Sequence, residues 1–133
     1  MMNIVVDTSV IIAVLVNEPA KNIIVDRTKG ADIFAPHSVH WEIGNAFSAM
    51  LKRNRITLEQ SIKAIEIYSK IIIQFVDIDL KDSLELCNEL KIYAYDAYII
   101  SCALQYQSPL ITLDKGLIRS ATQKGVQVLE VKI

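Results

Sequence analysis

Short runs of β-branched and aliphatic residues, apolar on both faces, recur along this chain and are separated by longer stretches of helical periodicity. That alternation constrains the fold more than any other feature. A strand apolar on both faces has to be covered on both, and parallel strands need long crossover connections. The pattern therefore specifies an α/β domain, a parallel sheet between helical layers. Ile4-Val5-Val6 is the clearest such run and stops at Asp7. Asp32 to Ala35 (broken by Pro36), Ile73 to Val76, Pro109 to Leu113 and Val126 to Val131 bring the count to roughly five strands.

The intervening spacing predicts about seven helices. The first is Val10 to Val16, with Asp7, Thr8 and Ser9 as capping candidates, and the second is Ala20 to Lys29, closed by Gly30. A long third helix is expected to be capped by Ser38 and to run to about Asn54. Thr57 and Gln60 form a capping box, followed by Leu58, Ile62, Ile65 and Ile72 at helical intervals. Leu80, Leu84, Cys87 and Leu90 make another stripe. Tyr95, Tyr98, Ile99, Cys102, Ala103 and Tyr106 make a longer one, and a last helix runs from Asp114 to about Lys124. No linker, charge block or repeat interrupts the sequence, so residues 1–133 read as one domain.

The chain is 52% hydrophobic with a mean hydropathy of +0.32, high for a small soluble domain. Its longest apolar run, Val10 to Val16, is far short of the roughly 20 residues a spanning helix requires. The first residues lack the charged start and cleavage site of a signal peptide, so a cytoplasmic protein is expected, with surplus apolar surface facing another chain. A net charge of −1 excludes a global basic field, and any contact with nucleic acid has to come from local clusters. Cys87 and Cys102 sit in apolar helical patterns without a Cys-x-x-Cys pair and read as buried hydrophobes in a reducing compartment.

Two strands end alike: Ile4-Val5-Val6 runs into Asp7, and Leu110-Ile111-Thr112-Leu113 runs into Asp114. In an open parallel sheet the ligand crevice lies beyond the carboxyl ends of the strands, where strand order reverses. If these two strands flank that point, both carboxylates reach one crevice. Glu42 in the long third helix and Asp96 at the start of the tyrosine-bearing helix lie in otherwise apolar settings and can line the same crevice. Taken singly, Asp7 is a helix cap, Asp96 a partner for a helix dipole, Asp114 a turn residue and Glu42 a solvated side chain. Together they form an oxygen-only constellation whose mutual repulsion a hard divalent cation relieves. That points to Mg²⁺ or Mn²⁺ and to phosphodiester hydrolysis.

The segments Ile4-Val5-Val6-Asp7-Thr8-Ser9, Glu42-Ile43-Gly44-Asn45-Ala46, Tyr95-Asp96-Ala97-Tyr98 and Leu110-Ile111-Thr112-Leu113-Asp114 resemble the signature blocks of PIN-domain nucleases. Within that family the chain is most similar to VapC-type toxins of prokaryotic toxin–antitoxin pairs. The resemblance spans essentially the whole length. It implies a parallel sheet with helices on both faces, endoribonuclease activity, and Mg²⁺ or Mn²⁺ held by Asp7, Glu42, Asp96 and Asp114. It also implies supporting roles for Thr8, Asn45 and Thr112, and a cognate antitoxin. A fifth acid found in some relatives has no counterpart here, since Lys115 and Gly116 follow Asp114.

Lys52, Arg53 and Arg55 cluster after the Glu42 helix, either as a solvated helix end or as a clamp for RNA phosphates. Arg119 with Lys115 and Lys124 is a weaker second cluster. His37 and His40 are expected at the surface or in packing, and base stacking by Tyr95 or Tyr98 is the minor alternative to a core or interface role. A homodimer is expected from the apolar surplus. The rival functions are a receiver-type signalling domain, which wants paired acids after the first strand, and a haloacid-dehalogenase-like phosphatase, which wants an acid where Ser9 stands. Further rivals are a PIN fold that binds RNA or a partner without cleaving, and a PIN nuclease of RNA processing.

Overall fold

The structure, a computed structural model, describes residues 2–132. Strand β1 (Asn3–Val6) leads into helix α1 (Thr8–Leu15) and then α2 (Lys21–Thr28). Strand β2 (Asp32–Pro36) is followed by α3 (Ser38–Lys52) and α4 (Leu58–Tyr68), and β3 (Gln74–Val76) by α5 (Leu80–Leu90) and α6 (Ala94–Gln105). Strand β4 (Leu110–Ile111), helix α7 (Lys115–Gln123) and β5 (Val128–Leu129) complete the chain. The strands form one sheet in the order β3-β2-β1-β4-β5, and every pairing is parallel. The expected α/β architecture of five strands and seven helices is therefore observed.

Order reverses at β1, which pairs with β2 on one side (Val5 opposite Phe34) and with β4 on the other (Val5 opposite Leu110, Val6 opposite Ile111). Chain connectivity forces the reversal: the crossovers through β2 and β3 build outward on one side, and β4 returns to the other. Ile4, Val5, Leu110 and Ile111 are fully buried, as strands covered on both faces must be. Gly30 follows α2 at φ +77°, a left-handed conformation that costs glycine little, and so closes the helix where the sequence places it.

Two expectations need correction, the cap of α3 and the length of the last two strands. Ser38 does not cap α3. His37 occupies the capping position without a side-chain bond, and Ser38 enters the first turn with its hydroxyl buried and unpartnered. The apolar stripe of α4 faces outward: Leu58, Ile62 and Ile65 are exposed, whereas Ser61, Ala64 and Tyr68 are buried. In α5 likewise, Leu80 and Leu84 are exposed while Ser83 and Leu86 are buried. Periodicity marks an apolar face but not which face meets the core. Here small residues let the helices approach closely, and the branched side chains point away. Strands β4 and β5 are also shorter than the apolar runs that contain them: Leu110 and Ile111 pair with Val5 and Val6 of β1, and Val128 and Leu129 pair with Leu110 and Ile111. Among the described residues no helix is long and apolar enough to cross a membrane.

Candidate active site

Asp7 is the first residue beyond β1 and caps α1, its Oδ1 accepting from the Val10 amide at 3.3 Å. The capping expectation for Asp7 is therefore met. Although its side chain is ionisable, Asp7 is only 7% exposed. Its carboxylate is held from both sides of the sheet reversal. Ser9 Oγ donates to Oδ1 at 2.6 Å and Thr112 Oγ1 donates to Oδ2 at 2.5 Å. Thr112 Oγ1 also accepts from the Asp114 amide at 3.0 Å, and Ser9 Oγ accepts from the Leu113 amide at 3.0 Å. Two hydroxyls thus stitch the end of β1 to the segment leaving β4, and β4 delivers Asp114 to the rim. Asp114 is exposed and caps α7 through the Leu117 amide at 3.1 Å.

Glu42, on α3, and Asp96, in the first turn of α6, are half-buried. Burial pushes the Asp7 carboxyl above the ordinary carboxylate range; the bonds from Ser9, Thr112 and Val10 oppose this, and the charge of Asp114 adds to it. Glu42 is raised by burial and then by the charges of Asp7 and Asp96; Asp96 is raised by burial and then by Asp114. Asp7, Glu42 and Asp96 therefore each feel the charge of at least one other acid of the four. They do not collapse onto one point: among the described residues no three His, Cys, Asp or Glu side chains stand close enough to share an ion directly.

Oxygen donors with mutually raised pKa values suit a hard divalent cation. Mg²⁺ in particular keeps several waters and takes only one or two carboxylates directly, which matches this spread. A second observation agrees. Thr8 Oγ1 is buried without a hydrogen-bond partner, and it faces Glu42 closely enough to offset part of that carboxylate's rise without reaching bonding geometry. An orphaned hydroxyl among carboxylates is what a site for a hydrated cation provides.

The remaining sequence candidates are dispersed. Asn45 is exposed on α3, one turn beyond Glu42. Lys52, Arg53 and Arg55 are exposed at the turn joining α3 to α4, about 15 Å along the helix from Glu42. His37 Nε2 lies 3.4 Å from Asp77, and His40 Nδ1 lies 2.9 Å from the Tyr68 hydroxyl, so neither is engaged with the four acids. Tyr95 is 58% exposed and packs edge-on against Tyr98, beside Asp96. Cys87 and Cys102 are unpaired, and burial lifts the Cys102 thiol to about 12, which makes it inert. Ser9, expected only as a capping candidate for α1, instead holds the Asp7 carboxylate, while Asp7 is the cap. The signal was the Asp-x-Ser spacing at a helix start, which lets the hydroxyl reach back to the carboxylate.

The fold recurs in solved structures. One is PAE2754 from Pyrobaculum aerophilum, with 20% identity over 96% of this chain and 83% of that one, at a TM-score of 0.71. A second is VapBC2 from Rickettsia felis bound to a DNA fragment from their promoter, with 18% identity, 96% and 98% coverage and a TM-score of 0.70. A third is VapBC-1 from nontypeable Haemophilus influenzae, with 24% identity, 97% and 98% coverage and a TM-score of 0.67. At these identities the likeness is one of fold. No curated protein matches the sequence. The PIN domain profile matches residues 4–122, a span that includes all four acids and the strands presenting them, and the chain belongs to the PIN domain family.

Proposed function

We propose that this PIN domain is a Mg²⁺- or Mn²⁺-dependent endoribonuclease, and that it acts as the toxin of a toxin–antitoxin pair. The observation that carries the nuclease reading is a nearly buried carboxylate, Asp7, fixed by two hydroxyls at the sheet reversal and surrounded by three further acids. Asp7 and Asp96 would hold the cation, with Glu42 and Asp114 ligating directly or through its water. Bound there, the cation supplies an activated water and charge stabilisation for phosphodiester hydrolysis. The protein's own contribution is positional. Thr112 and Ser9 lock the Asp7 rotamer, and Thr8 offers a further oxygen. Lys52, Arg53 and Arg55, exposed and outside the acidic rim, would hold the RNA backbone.

The toxin reading rests on the resemblance to VapC-type proteins and on unpartnered apolar surface. Val6, Val10, Ile11 and Val14, with Ile24, Ile33, Ile71 and Ile73, line an apolar groove of about 360 Å³ alongside α1. This is the proposed seat of an antitoxin segment, adjoining Asp7. Trp41 is 75% exposed, and it and the outward stripe of α4 are the proposed homodimer face. A cytoplasmic location follows from this reading. The test has two parts. Cleavage of a mixed RNA pool should require Mg²⁺ or Mn²⁺, stop with EDTA and fail in Asp7→Asn. Induction in a bacterial host should arrest growth in an Asp7-dependent way, with rescue by the neighbouring small open reading frame. Cleavage without arrest keeps the nuclease and removes the toxin; binding of RNA without cleavage removes both.

A further inference from the structure

Among the described residues two buried side-chain oxygens lack a hydrogen-bond partner, Thr8 Oγ1 and Ser38 Oγ. An unpaired buried hydroxyl costs stability, so two of them in one small domain call for a reason. Their positions match. Strands β1 and β2 are parallel neighbours, and each hydroxyl belongs to the second residue beyond its strand, Thr8 after Val6 and Ser38 after Pro36. Each also opens a helix, α1 and α3 respectively. Thr8 lies beside Glu42. Ser38 stands four residues before Glu42, one turn back on the same face of α3. Helical side chains lean toward the helix N-terminus, so Glu42 leans back over Ser38. We infer that Ser38 is a positioning residue for Glu42, its hydroxyl donating to that carboxylate when the acids hold a divalent cation.

The inference rests on the metal-site reading and adds a residue to it. A carboxylate that serves a cation, directly or through water, turns one oxygen to it and leaves the other to be fixed by a donor. Asp7 has such donors in Ser9 and Thr112. For Glu42 the corresponding pair is Thr8, from the end of β1, and Ser38, from its own helix. Ser38 has no competing task. It does not cap α3, because His37 holds the capping position. The histidines on either side are engaged elsewhere, His37 with Asp77 and His40 with the Tyr68 hydroxyl, so Ser38 is the polar side chain of this turn that remains for Glu42. A hydroxyl that is idle in the metal-free protein and used in the loaded one has a signature: its removal weakens metal binding without weakening the metal-free fold.

The test is Mn²⁺ binding without RNA, read by electron paramagnetic resonance, beside thermal melting in EDTA. Ser38→Ala should bind Mn²⁺ roughly fivefold more weakly, as one lost hydrogen bond predicts, while melting in EDTA at or above the wild-type temperature. Ser38→Thr keeps the hydroxyl and should bind within about twofold of wild type. In a Glu42→Gln background, Ser38→Ala should weaken binding no further. Wild-type Mn²⁺ affinity in Ser38→Ala overturns the inference alone, as does an equal loss in both backgrounds. A lower melting temperature in EDTA assigns the hydroxyl to the metal-free fold and overturns it too. Wild-type protein that binds no Mn²⁺ removes the metal site itself, and this inference with it.

Discussion

Replacing Thr112 by Val tests whether the carboxylate of Asp7 is held by the stitch across the sheet reversal. Thr112 is 2% exposed, and valine has nearly its shape, so the change opens almost no cavity and isolates the polar loss. The Thr112 hydroxyl makes two bonds, one donated to Asp7 Oδ2 at 2.5 Å and one accepted from the Asp114 amide at 3.0 Å. A hydrogen bond to a charged group contributes about 2 kcal/mol, and stranding the part-buried amide costs about 1 kcal/mol more. The sum of about 3 kcal/mol corresponds to a fall in Tm of roughly 10 °C for a domain of this size. The assay is thermal denaturation in EDTA at neutral and at mildly acidic pH. Because the Thr112 bond lowers the Asp7 pKa, it favours the ionised form. The penalty is therefore full above the folded pKa of Asp7 and shrinks as pH falls through it. Thr112→Ser should recover most of the loss. A Tm within about 2 °C of wild type at neutral pH would refute the account, as would an equal penalty at both pH values.

Asp7→Asn should abolish cleavage while leaving the metal-free protein as stable as wild type or more so, since it removes a buried charge facing other acids; circular dichroism melting in EDTA checks this. The pH dependence has a definite sign. Asp7, Glu42 and Asp96 all have raised folded pKa values, so their protonated forms favour the fold below the unfolded carboxylate range, and that stability is lost as pH rises through the folded values. Melts in EDTA should therefore show Tm falling over that window, with Mg²⁺ restoring it at neutral pH; a Tm that rises there contradicts the coupling. Alanine at two of Lys52, Arg53 and Arg55 should weaken RNA binding evenly across sequences and flatten the salt dependence by about one unit of slope per lost contact, read from binding isotherms at several salt concentrations. Ile62→Asp on the outward face of α4 should shift a dimer to monomer in sedimentation without lowering Tm, because that side chain is 52% exposed.

Local sequence determined the elements of this protein and the identity of its acids. β-branched runs apolar on both faces can only be central parallel strands, and Asp7 and Asp114 were legible because each ends such a run just before a capped helix. The capping box at Thr57 and Gln60 formed as read, its interactions lying within one turn. Facing, pairing and hydroxyl partners were decided only by tertiary structure. Helical periodicity is blind to direction: it marks Leu58 and Ile62 as one stripe, and only packing shows that α4 meets the core through Ser61 and Ala64. Strand length depends on the neighbour: β4 is two residues long, Leu110 and Ile111 pairing with Val5 and Val6 of β1. The bond from Thr112 to Asp7 spans 105 positions, and no local rule predicts it. It exists because the chain returns β4 to the free side of β1, which brings two distant strand ends side by side.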